Sequence, residues 1–138
     1  MGEAVNLQVR NSVDAISSAS EAAESWLEQQ HVSADATFLV TLAIEELVTN
    51  CIKYGYDDDG EHTIHIQLSV EGNKLTMLVV DDGHAFDPLA APPPDLSLAI
   101  EDRPIGGLGI HMLRELTDEM TYERRDGANR LTLTKQIS

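Results

Sequence analysis

A single cysteine, Cys51, stands in the whole sequence. No internal disulfide can form, and a reducing compartment is the expected setting. Aromatic residues make up only 4% of the 138 residues. No apolar run approaches the roughly 18 residues needed to cross a bilayer. The first ten residues lack the basic stretch and apolar stretch of a secretory signal, so a cytoplasmic protein is expected. Basic residues are scarce too: 9 Lys and Arg face 24 Asp and Glu, a formal net charge of −15. A surface of that sign repels polyphosphate backbones, which argues against direct nucleic-acid binding. The acids are dispersed apart from Asp57-Asp58-Asp59, as in a folded domain rather than an acidic tail.

What is present suffices for one folded unit. A hydrophobic content of 42% over 138 residues supports a real core, and a single domain over residues 1–138 is expected. Ala4 to Val9 alternates as a half-buried strand. Asn11 or Ser12 can cap a helix carrying Ile16, Ala19, Ala23, Trp26 and Leu27 at helical spacing. Ser33 can cap a second helix through Phe38, Leu42, Leu47, Val48 and Ile52, ending near Gly55. Thr63 to Val70 and Lys74 to Val80 read as strands joined at Glu71-Gly72-Asn73. A long loop from Asp81 to Gly109 holds Pro92-Pro93-Pro94, and loops of that length in compact domains are often functional lids. A third helix is expected over Ile110 to Thr117. Glu119 to Arg124 and Arg130 to Ile137 form a closing hairpin turned at Asp126-Gly127. The order predicts an α+β two-layer sandwich, its mixed, mostly antiparallel sheet covered on one face by helices.

Three constellations carry chemistry. Glu46 and Asn50, four apart, project from one face of the second helix above Phe38 and Leu42. An Asn carbonyl can complete a magnesium site whose remaining ligands are water and phosphate, and a carboxylate one turn away can order or deprotonate a nucleophile. Taken alone, the pair reads more readily as an ordinary solvated helix face, since such pairs abound on helices. Asp81-Asp82-Gly83-His84-Ala85-Phe86-Asp87-Pro88 delivers carboxylates from a strand to a glycine turn. A fixed Asp there can accept from an exocyclic amine such as that of adenine, although an Asp-Gly turn leaving a strand is common. Gly106-Gly107-Leu108-Gly109 leads into the third helix, where backbone N–H groups and the helix terminus attract anions. That turn lacks the Gly-Lys-Ser/Thr ending of a P-loop.

In order and spacing, these three segments resemble the boxes of the GHKL ATPase superfamily, with its Bergerat nucleotide fold. Glu46 to Tyr54 is similar to the N box, Asp81 to Pro88 to the G1 box and Gly106 to Ile110 to the G2 box. Within the superfamily the chain resembles the stand-alone anti-sigma regulatory serine/threonine kinases of bacteria, whose G1 variant reads Asp-x-Gly-x-x-Phe-Asp-Pro. The commoner form carries a second glycine where Ala85 stands here. The resemblance implies ATP and Mg2+ as cofactors, with Asn50 as metal ligand and Glu46 as catalytic base. It implies that Lys53 lies near phosphate and Tyr54 near base or sugar. Asp81 would accept from the adenine amine, Gly83 would let backbone approach the ring, and Phe86 belongs to the same box. Gly106, Gly107, Leu108 and Gly109 would form the phosphate turn, and Thr132 or Thr134 would support Asp81 through a water.

The same resemblance implies an anti-anti-sigma (STAS-domain) partner, a sigma factor to sequester and a homodimer, formed through the first strand and helix. It favours a stand-alone kinase over a sensor histidine kinase, with a short lid between Pro88 and Gly106. A second function class stays open: a nucleotide-gated binding module that selects its partner without phosphorylating it, with Arg103 in the ordered lid. His62 and His65 fall on opposite faces of a strand without a cysteine cluster, which argues against zinc. Asp57 to Gly60 reads as a solvated turn, and Cys51 as a packed small residue.

Overall fold

The computed structural model of the chain describes residues 2–58, 60–90 and 107–137. Five strands, β1 (Glu3–Arg10), β2 (Thr63–Glu71), β3 (Lys74–Asp81), β4 (Glu119–Arg125) and β5 (Ala128–Gln136), form one sheet in the order β1-β2-β3-β5-β4. All four pairings are antiparallel. Three helices, α1 (Val13–Gln29), α2 (Ala34–Asn50) and α3 (Gly107–Leu116), complete an α+β two-layer sandwich.

Alternation along the strands decides which face the helices cover. Ile64, Ile66 and Leu68 of β2, Leu75, Met77 and Val79 of β3, and Leu131 and Leu133 of β5 are buried. The residues between them face away: His65 and Gln67 are exposed, while Leu78, Val80, Thr132 and Thr134 are half-buried. Successive side chains of a strand point to opposite faces, so this pattern is one apolar face and one open face. Ala19, Ala23 and Leu27 of α1 meet the apolar face together with Ile110 and Leu113 of α3. Burial of each large aliphatic side chain contributes about 1.5–3 kcal/mol.

Both long helices begin on serine caps. Ser12 Oγ accepts from Ala15 N at 3.3 Å, and Ser33 Oγ accepts from Ala36 N at 3.3 Å. The buried stripe of α2 is Leu39, Val40, Ala43, Ile44, Leu47 and Val48. This corrects the expected position of Phe38, which lies beside the stripe and is 50% exposed. The helix also changes character earlier than expected. Its α-helical part stops at Asn50, and Cys51–Gly55 continue as a wider π-helical turn, a feature frequent at functional sites. The C-terminal end of α2, the C-terminal end of β3 and the start of β5 thus converge at one end of the sandwich.

Candidate functional site

A cleft with a cavity volume of about 170 Å³ opens at that convergence. Asn50, Cys51 and Tyr54 line it from α2 and the π-helical turn. Val79, Asp81 and Phe86 supply a second wall, and Tyr122, Asn129 and Leu131 a third. The lining is mostly apolar with a few converging polar groups. Asn50 is the notable one, because its Nδ2 is buried without a hydrogen-bond partner among the described residues. An orphaned amide of this kind costs about 1–3 kcal/mol unless something completes it. Here it faces a cleft large enough for an oxygen-bearing ligand. Among the described residues no neighbour fixes which amide end faces which way, so Asn50 can offer an oxygen to a cation or an N–H to phosphate.

The loop after β3 is pinned to the end of α2 by backbone. His84 N donates to Gly55 O at 2.8 Å. A Cβ on Gly83 would lie 2.7 Å from Gly55 O, so Gly83 is required by this approach of two backbones, before any ligand is considered. Arg124 Nη1 donates to Gly83 O at 2.7 Å and holds the loop from β4. At the rim, the Tyr56 hydroxyl donates to Asp82 Oδ1 at 2.8 Å, and its ring stacks on His62 with centroids 3.6 Å apart. Burial, then the bond to Asp82, pushes the Tyr56 hydroxyl pKa up.

Asp81 ends β3 inside the cleft. Its Oδ1 accepts from Gly83 N at 3.0 Å and from Asn129 Nδ2 at 2.9 Å. The Cys51 thiol also hydrogen-bonds to Asp81; burial first, and then that carboxylate, push the thiol pKa far up. Both influences disfavour the thiolate, the form in which a cysteine acts as a nucleophile.

Glu46 sits one turn before Asn50, and the backbone of Gly109 at the start of α3 packs directly against it: a Cβ at Gly109 would coincide with the Glu46 carboxylate. Burial, then neighbouring Glu45, raises the Glu46 pKa, and Lys53 opposes the rise. Asn50, Tyr54, Asp81 and Phe86 are thus brought together in the cleft wall. Glu46, Gly83 and Gly109 flank it, and Lys53 is exposed on the π-helical turn. Gly107 and Leu108 form the first turn of α3, where backbone N–H groups have no intrahelical partner. Gly106, the three prolines and Arg103 lie outside the described residues.

One expected residue does not join the site. Thr132 pairs across the sheet with Leu78 and Thr121, on the face away from the cleft, and Thr134 shares that face. The side chain that reaches Asp81 from β5 is Asn129, directly opposite it in the strand register. Sequence reasoning missed Asn129 because it started this strand at Arg130, which left Asn129 in the turn. Only the pairing of β3 with β5 reveals it.

An antiparallel sheet backed by helices on one face, with a polar-ended cleft between a helix end and a strand end, defines a small ligand-binding sandwich. Known proteins narrow this class. Residues 9–135 match the family model described as "Histidine kinase-like ATPase domain". The chain is 32% identical over 113 residues to the serine/threonine-protein kinase BtrW of Bordetella bronchiseptica, covering 79% of this chain and 80% of that protein. It is 26% identical over 102 residues to the serine-protein kinase RsbW of Bacillus velezensis, covering 70% of this chain and 62% of that protein. It is 29% identical over 99 residues to the anti-sigma F factor of Thermoanaerobacter sp., covering 71% and 68%. Among solved structures, that of the RsbU and RsbW domains of Rv1364c from Mycobacterium tuberculosis superposes with a TM-score of 0.68 at 18% identity. That match covers 98% of this chain and 32% of the other, a likeness of fold. The chain belongs to the histidine kinase-like ATPase domain family, in the branch of the bacterial serine/threonine-protein kinases. ATP is the nucleotide that an ATPase domain of this family implies.

Proposed function

We propose that this chain is an ATP- and Mg2+-dependent serine/threonine kinase that phosphorylates an anti-anti-sigma (STAS-domain) protein and sequesters a sigma factor, acting as a homodimer. One observation carries the reading: the buried, unpartnered Asn50 amide faces the cleft one turn from the Glu46 carboxylate. Among the described residues no three His, Cys, Asp or Glu side chains converge to hold a metal. A magnesium ion would therefore rest on Asn50 with water and phosphate, as magnesium commonly does.

Bound ATP with its magnesium supplies a transferable phosphoryl group and a charge-compensated leaving group. The chain's own residues do the rest. Asp81 accepts from the exocyclic amine of the base, while Tyr54 and Phe86 give it apolar walls. Lys53 and the backbone N–H groups of Gly107 and Gly109 hold phosphate oxygens, with the start of α3 behind them. Glu46 takes the proton from the serine or threonine hydroxyl of the partner. Its raised pKa makes it a better proton acceptor than an ordinary surface glutamate.

Incubation with radiolabelled ATP and the cognate STAS protein tests the reading. Transfer is expected with the wild type and should fall about 10²–10⁴-fold in Glu46→Ala, while Asn50→Ala should lose magnesium-dependent nucleotide affinity. Transfer undiminished in Glu46→Ala removes the assignment of the base. Nucleotide-dependent partner affinity without any transfer supports the binding-module reading instead.

A further inference from the structure

Asn129, in the cleft wall, is only 6% exposed, a buried polar side chain where the other buried side chains among the described residues of the strands are apolar. Every hydrogen-bonding position of its amide is used. Nδ2 donates to Asp81 Oδ1 at 2.9 Å and to His84 O at 2.8 Å. Oδ1 accepts from Phe86 N at 3.2 Å and from the Tyr122 hydroxyl at 2.5 Å. A backbone N–H can only donate and a carbonyl can only accept, so the amide has one orientation. Through it, β4, β5, the end of β3 and the loop over residues 84–86 share a single polar joint.

We propose that Asn129 is a positioning residue that fixes the Asp81 carboxylate and thereby makes the cleft selective for a purine carrying an exocyclic amine. The proposal rests on the reading of Asp81 as the acceptor for the base. Two N–H donors, Asn129 Nδ2 and Gly83 N, hold the same oxygen, Oδ1. Oδ2 takes neither; beside the Cys51 thiol, which also hydrogen-bonds to this carboxylate, it can accept from a donor in the cleft. A carboxylate held this way presents a negative acceptor at a defined place. An amine gains a charge-assisted hydrogen bond there, a carbonyl is repelled and a bare C–H gains nothing. Without Asn129, one of the two donors is lost and the carboxylate turns more freely about its last torsion, so the difference between these bases shrinks. Because Asn129 also carries the backbone of His84 and Phe86, the acceptor and the wall beside it keep their spacing.

The test is calorimetric affinity for Mg-ATP and for the magnesium salt of purine riboside triphosphate, which lacks only the exocyclic amine. The wild type should prefer ATP by at least about tenfold, the size of one good charge-assisted hydrogen bond. In Asn129→Ala the preference should fall to about threefold or less, with ATP affinity dropping more than that of the analogue. Equal losses for both nucleotides, with the preference retained, would mean that Asn129 only holds the fold, and would overturn the proposal. A wild type indifferent to the amine would instead overturn the assignment of the base to Asp81, and the proposal with it. Should Asn129→Ala fail to fold, Tyr122→Phe decides. It removes one hydroxyl from the joint and should narrow the preference in the same direction; an unchanged preference in that variant overturns the proposal.

Discussion

Glu46 holds its charge against its surroundings. Its carboxylate is half-buried against Gly109 beside Glu45, and burial followed by that like charge raises its pKa. A carboxyl that binds its proton more tightly when folded favours the fold while it is protonated. That contribution is complete below the unfolded value of 4.5 and is lost as pH rises through the higher folded value. At neutral pH the ionised Glu46 therefore opposes folding. Glu46→Gln should melt above the wild type at pH 7, with the gap closing toward pH 4, while transfer falls about 10²–10⁴-fold. Thermal melts at both pH values check this, and a variant melting below the wild type at pH 7 would contradict it. Asn50, Asp81, Phe86 and Glu46 were legible in the sequence because each lies in a short local pattern. Phe38 was misplaced because helical spacing marks a face without fixing where that face is centred.

The strands take their register from their turns. Gly72, at φ 60°, begins the two-residue turn between Glu71 and Lys74, and Asp126 and Gly127, at φ 53° and 77°, close β4 onto β5. Nothing lies within 4 Å of a Cβ built on Gly72, so an added methyl meets no neighbour and only the left-handed backbone is penalised. Gly72→Ala should cost about 1–2 kcal/mol, seen as a lower urea midpoint with an unchanged slope. Phosphotransfer should be unaffected, since the turn stands at the opposite end of β3 from Asp81. Both turns and the existence of the three α-helices were readable, because glycine, serine caps and periodicity are local signals, although α3 starts at Gly107, inside the loop expected as far as Gly109. The face taken by Thr132 was not. A strand's period of two leaves its parity open until one residue is anchored, and the anchor here is Asn129 opposite Asp81.

At the scale of the whole molecule, charge and edges act together. Two copies carry −15 each, and β1 presents an outer edge to which no described strand pairs. If the homodimer forms, self-repulsion opposes it over a Debye length of about 10 Å at 0.1 M salt and about 3 Å at 1 M. Light scattering should therefore show a larger dimer fraction at high than at low ionic strength, and a monomer at every salt concentration would remove the dimer from the proposal. The sandwich itself was legible from the order of elements. The joint around Asn129 was not, because it unites residues 48 positions apart that only the finished sheet brings together. The contact between Glu46 and Gly109 reaches further still, into how such a chain can diverge. While the carboxylate keeps its place, a side chain at position 109 would have to push it aside. A descendant that abandoned phosphotransfer and lost Glu46 would be released at 109 as well. The two positions are therefore expected to drift together, and a filled position 109 in a relative would mark a lineage that had kept the cleft and given up the base.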